Sequence, residues 1–129
     1  MRVIILAKSS PETENMEPKP DAEGIQAMTR FHDELAGAGV LLASGRLFPS
    51  SKGARVRFEG ASQTVIDGPF SESKELVAGY WIWQVRSLDE AIEWLKRAPF
   101  GGGEFEIRQV YEAADFGDAL TPELIDSMR

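Results

Sequence analysis

Residues 79–85 read Gly-Tyr-Trp-Ile-Trp-Gln-Val. This aromatic, β-branched run predicts a strand, and its bulky apolar groups at successive positions ask for cover on both faces. Residues 3–7, Val-Ile-Ile-Leu-Ala, form the longest uninterrupted apolar run and sit within a first strand at residues 2–8. That strand is apolar on both sides too, which is the mark of a central position in a sheet.

The chain leaves the 79–85 strand through a helix signal. Ser87 followed by Glu90 is a capping box, and Leu88, Ala91, Ile92 and Leu95 give the helix an apolar face. Pro99 and Gly101-Gly102-Gly103 stop it, and residues 104–111 alternate charged with apolar groups as a last strand with one wet side. Upstream, residues 9–20 hold Pro11, Pro18 and Pro20 among polar and acidic neighbours, which favours a loop over a helix. From Asp21 a helical period sets in, with Ile25, Met28, His32, Leu35 and Ala36 on the buried stripe and Gly37 and Gly39 at its end. Residues 40–43 read as a short buried strand running toward Gly45 and Arg46. Val56 and Phe58, a Glu59-Gly60 turn, then Thr64, Val65 and Ile66 make a hairpin that ends at Asp67-Gly68-Pro69-Phe70. Thr121 and Pro122 open a short C-terminal helix.

Strand, helix, strand with a hairpin extension, strand, helix, strand is the order of an α+β, ferredoxin-like βαββαβ domain, expected over residues 1–112, with residues 113–129 as a tail carrying the short helix. Both helices of such a domain lie on one face of an antiparallel sheet. The central strands are apolar on the other face as well, so a homodimer in which two sheets face each other, a dimeric α+β barrel, is the expected assembly.

The segment Asp67-Gly68-Pro69-Phe70-Ser71-Glu72-Ser73-Lys74-Glu75, followed by Gly79-Tyr80-Trp81, resembles the DGPF signature of the YCII-related family. The resemblance extends through the first strand, Gly39-Val40-Leu41-Leu42, residues 51–56, and Ile107-Arg108-Gln109-Val110 with Glu112. It implies the dimeric α+β barrel and no particular reaction. Shorter members of the wider family are similar to enzymes in pairing a helix histidine with an aspartate as an acid–base dyad. Aligned through residues 39–42, that histidine falls on Met28, one helical turn before His32.

Several residues are candidates for chemistry. Asp67, on a turn that Gly68 and Pro69 force, is placed either to act as a base and ligand anchor or to fix the turn by accepting backbone N–H bonds. Lys74 either holds an anionic group or pairs with a nearby carboxylate. Phe70 and Trp81 are pocket walls if they are not plain core. Trp81 and Trp83 are expected to alternate, only one of them facing the dimer partner. His32, the one histidine, is the side chain whose ordinary titration range lies near neutrality, and with Asp67 it is the candidate catalytic pair.

Composition removes much else. The 129 residues are 43% hydrophobic and 27% charged, with 14 Lys plus Arg against 21 Asp plus Glu, for a net charge of −7. A chain this acidic argues against a nucleic-acid surface. Without cysteine there is neither a disulfide nor a thiolate-held metal, and one histidine gives no metal-ligand spacing. No apolar run approaches a membrane span, and the N-terminus is too soon charged for a signal peptide, so a cytoplasmic protein is expected. No phosphate loop, nucleophile elbow or dinucleotide fingerprint asks for a cofactor. The leading expectation is a small ligand-binding or regulatory module with a polar or aromatic ligand held between the sheet and the first helix. An acid–base enzyme of lyase or isomerase type, acting on a small hydroxylated aromatic compound, is the alternative.

Overall fold

A computed structural model describes residues 1–14, 21–69, 76–119 and 121–127. Strand β1 (Arg2–Ser9) is followed by a single helical turn, α1 (Pro11–Glu14), and by helix α2 (Ala22–Gly37). Strand β2 (Leu41–Arg46), the hairpin β3 (Ala54–Glu59) and β4 (Ser62–Asp67), and strand β5 (Leu76–Gln84) come next. Helix α3 (Leu88–Lys96), strand β6 (Phe105–Gln109) and helix α4 (Pro122–Ser127) complete the order. The main sheet runs β2-β5-β1-β6 with every pairing antiparallel, which is the ferredoxin-like arrangement with β1 and β5 at its centre. The hairpin forms a separate two-stranded sheet.

Local chemistry accounts for the element ends. Asp21 caps α2 by accepting from Glu23 N, and Ser87 caps α3 by accepting from Glu90 N. At the other end of α2, Gly39 takes φ +73° and donates to Ala36 O while Val40 donates to Leu35 O, a Schellman closure that only a residue at ease in the left-handed region completes cheaply. The hairpin turn places Gly60, φ +60°, first in its two-residue loop. The loop expected over residues 9–20 is corrected at its start. Pro11 is preset for a first helical position, and Ser10 caps the turn by accepting Thr13 N through Oγ and Glu14 N through its carbonyl.

The core lies between α2, α3 and one face of the sheet, and consists of Val3, Ile5, Phe31, Leu35, Val40, Trp81, Trp83, Val85 and Ala91. Two expectations change here. Trp81 and Trp83 do not alternate. Two residues apart on a strand they point the same way, toward the helices, with rings stacked at 5.5 Å. The residues on the opposite face of the central strands are Ile4, Leu6, Tyr80 and Ile82. The buried stripe of α2 runs through Phe31 and Leu35, whereas Ile25 is 57% exposed. Phe31 meets Trp81 and Trp83 edge to face at 5.8 and 6.3 Å, an arrangement that suits the ring quadrupoles.

The signature turn is anchored by packing. A Cβ on Gly68 would overlap the Ser50 carbonyl oxygen, and Gly68 N donates to Gly53 O at 3.0 Å. Ser50 in turn donates to Glu14 through N at 2.9 Å and through Oγ at 2.6 Å, so α1, the residue 50–53 turn and the end of the hairpin are fastened together.

Leu35→Ala should destabilise the fold by about 2–5 kcal/mol in urea denaturation, and Ile25→Ala by less than about 1 kcal/mol, because only the first empties a close-packed site. Similar losses at both positions would mean that α2 is rotated relative to the packing described.

Candidate functional site

The helix-facing side of the sheet is built in rows set by strand register. The first row across the sheet is Leu41, Trp83, Val3 and Gln109; the second is Ser44, Trp81, Ile5 and Ile107. The third is Arg46, Gly79, Ala7 and Phe105. Side-chain volume is large in the middle of the first two rows and collapses at Gly79 and Ala7 in the third. The sheet therefore has a full floor under the C-terminal half of α2 and a sunken one under its N-terminal half.

The result is a cleft of about 520 Å³ floored by Ala7, Gly79 and Ser44. Met28 and His32 border it from α2, while Trp81, Phe100 and Phe105 form an aromatic wall. Phe100 and Phe105 stack at 4.6 Å, and Phe105 lies over Trp81 at 6.3 Å. Gly79 also keeps the floor low by necessity, since a Cβ there would sit 2.9 Å from Gly45 O across the β2–β5 pairing.

His32 is held by Trp81, whose Nε1 donates to His32 Nε2 at 2.9 Å. An indole N–H can only donate, so Nε2 is the unprotonated nitrogen and the imidazole proton resides on Nδ1. While this bond persists, Nε2 is not free to take a proton from anything in the cleft. Met28 and His32, four residues apart on α2, border the same cleft.

The other candidates from the sequence fall elsewhere. Asp67 ends β4 opposite Ala54, is exposed, and is not among the residues lining the cleft. Its carboxylate makes no hydrogen bond to a described residue, so Gly68 rather than Asp67 supplies the visible tie at that turn. Phe70 and Lys74 lie outside the described residues. No cluster of three or more metal-ligating side chains occurs among the described residues, and no described helix is long and apolar enough to cross a membrane.

Sequence reading missed Arg46, which borders the cleft from the end of β2, and Phe100, which follows the proline that stops α3. Neither carries a local signal. Arg46 becomes part of the site through the register of β2 on β5, and Phe100 through its stacking on Phe105.

The fold and cleft define a small ferredoxin-like α+β protein with an aromatic-walled recess beneath its first long helix. The chain belongs to the YCII-related domain family, whose model matches residues 1–114. It is 36% identical over 91 residues to an uncharacterised protein of Rhizobium meliloti (strain 1021), the match covering 68% of this chain and 73% of that one. Among solved structures it is similar to 5-chloro-2-hydroxyhydroquinone dehydrochlorinase from Burkholderia phenoliruptrix AC1100, in complex with 2,5-dihydroxybenzoquinone. The two share 14% identity with a TM-score of 0.43, over 87% of this chain and 95% of that one.

A double-mutant cycle of Trp81→Phe with His32→Ala should return a coupling of about 0.5–1.5 kcal/mol in chemical denaturation, the size of one intramolecular hydrogen bond. Coupling indistinguishable from zero would mean that the two rings are not bonded in solution.

Proposed function

We propose that this protein is a homodimeric small-molecule-binding module of the DGPF subgroup, acting in the cytoplasm, whose ligand occupies the cleft under α2. The observation that carries the reading is the cleft itself. Concave, mostly apolar recesses of a few hundred Å³ with a few convergent polar groups are the usual form of a small-ligand site. Here the apolar part is a three-ring wall, and the polar part is Ser44, His32 and Arg46. A flat, unsaturated ligand is favoured, because Trp81, Phe100 and Phe105 form an aromatic wall against which a ring can pack.

The dimer is supported by two apolar surfaces, one that the single chain leaves half-buried and one that it leaves exposed. Ile4, Leu6, Tyr80 and Ile82 lie on the sheet face away from α2 and α3. Val56, Phe58 and Val65 share one face of the hairpin and are 52%, 70% and 66% exposed. A two-stranded hairpin is marginal by itself in water, and exposed apolar area on this scale marks an interaction surface. A second copy offers both faces at once through a two-fold axis.

A proton-transfer role for the same cleft has one observation in its favour, the presence of His32 beside Met28. It would have to work through Nδ1, since Nε2 accepts from Trp81. Asp67 of the same chain does not line the cleft to serve as the second group of the dyad.

Light scattering should return twice the 14.2 kDa chain mass at micromolar concentration, and Ile82→Glu should halve it or unfold the protein, because an uncompensated charge buried between sheets costs several kcal/mol. A stable wild-type monomer would rule out the dimer. For the cleft, Ser44→Phe should remove binding of small aromatic compounds while leaving the melting temperature within a few degrees. Undiminished binding would place the ligand elsewhere.

A further inference from the structure

The net charge of the chain is −7, with carboxylates outnumbering cationic side chains 21 to 14. The cleft runs against that composition. Among the described residues bordering it there is no Asp or Glu, and Arg46 is the one fully charged side chain. Arg46 stands at the end of edge strand β2, in the same row as Gly79, Ala7 and Phe105. Strand alternation puts it on the same face as Ser44 and Trp81. Three strand spacings, about 14 Å between backbones, separate Arg46 from Phe105, and the two positions between them carry almost no side chain.

Arg46 also borders a second cavity of about 360 Å³, which adjoins the first through Arg46 and Ala78. The one carboxylate among the described residues lining that cavity, Glu14, is already engaged, with one oxygen on Ser50 N and the other on Ser50 Oγ. The described ion pairs of the chain use Arg2, Arg86, Lys96 and Arg97, and none of them involves Arg46. A planar guanidinium without a carboxylate partner among the described residues, sharing a cleft with an aromatic wall across a floor of Gly79 and Ala7, matches one kind of molecule. It fits a flat ring bearing an oxyanion, with the ring against Phe105 and Trp81 and the anion on the guanidinium fork.

We infer that the cleft selects planar aromatic anions, carboxylates or ionised phenols, and that Arg46 is the residue that determines this selectivity. The inference rests on the cleft being the ligand site. It adds the charge of the ligand and the group that reads it.

Calorimetric titration of the full-length protein with benzoate, 4-nitrophenolate and the neutral isostere benzamide tests it, with Arg46→Gln, Arg46→Lys and Ser44→Phe as variants. At least one anion should bind about tenfold or more tightly than benzamide, the effect of one charge-assisted hydrogen bond, and which anion does so separates carboxylate from phenolate recognition. Arg46→Gln should erase the preference with an unchanged melting temperature, because the side chain is exposed at a strand end. Arg46→Lys should keep part of it, since charge survives while the fork geometry is lost. Equal affinity for benzamide and both anions, or a preference that survives in Arg46→Gln, overturns the inference. If all three probes bind equally and Ser44→Phe abolishes them, the cleft stands as a site and only its charge selectivity falls. If none binds to wild type at millimolar concentration, both fall.

Discussion

Helix α2 can rest on the sheet only where Trp81 and Trp83 raise the floor to meet Phe31 and Leu35. These four side chains are buried and the three aromatic rings among them touch one another, so the height of the helix above the sheet is set there. Once that height is fixed, the neighbouring row of Gly79 and Ala7 cannot reach the helix. Close-packed interiors do not relax to fill such a gap, because lowering one end of a rigid helix would break contacts at the other. The cleft is thus a consequence of two large residues placed beside two small ones on paired strands. Its polar features follow as well. Trp81 turns its one donor toward the cleft side, where His32 accepts it, and the edge strand supplies Ser44 and Arg46 in register.

The signature turn takes on a structural meaning in this frame. Gly68 packs against the Ser50 carbonyl where no side chain fits, and Ser50 is itself tied to Glu14. Those contacts hold the base of the hairpin and the helical turn after β1 together at the end of the sheet that carries Arg46. On the opposite edge, Arg2 donates through Nε and Nη2 to Glu112, and these bonds with the adjacent positive charge hold the Glu112 carboxyl below its ordinary range. This pair is exposed to solvent and orients the chain beyond β6 more than it stabilises the fold.

Much of the architecture was legible from local chemistry. Apolar runs at residues 3–7 and 79–85 announced the central strands, Ser87 and Thr121 announced helix starts through capping, and Glu59-Gly60 announced the hairpin turn. Each of these depends on residues within a few positions of one another. The first helix was less clear because Phe31 and His32 are adjacent, and a stripe drawn through Ile25 and His32 is rotated from one drawn through Phe31 and Leu35. Only the tryptophans beneath choose between them. The pairing of His32 with Trp81, and the meeting of Arg46, Gly79, Ala7 and Phe105 in one row, join residues from four strands and one helix. No spacing in the chain encodes such a meeting, since it depends on the register of strands distant in sequence, including the shift between Leu41 and Ala43 that brings Ser44 opposite Trp81.

The three indoles of this protein lie in three different settings. Trp81 donates to His32, Trp83 is fully buried with no hydrogen-bond partner for Nε1 among the described residues, and Trp94 lies under the Arg97 guanidinium at 4.6 Å. Their side-chain N–H resonances in a ¹H–¹⁵N correlation spectrum are therefore separate reporters of the cleft, the core and the surface. On addition of saturating benzoate, the Trp81 indole signal should move while those of Trp83 and Trp94 stay in place. An unmoved Trp81 signal with binding registered elsewhere in the spectrum would contradict the assignment of the cleft beneath α2 as the ligand site.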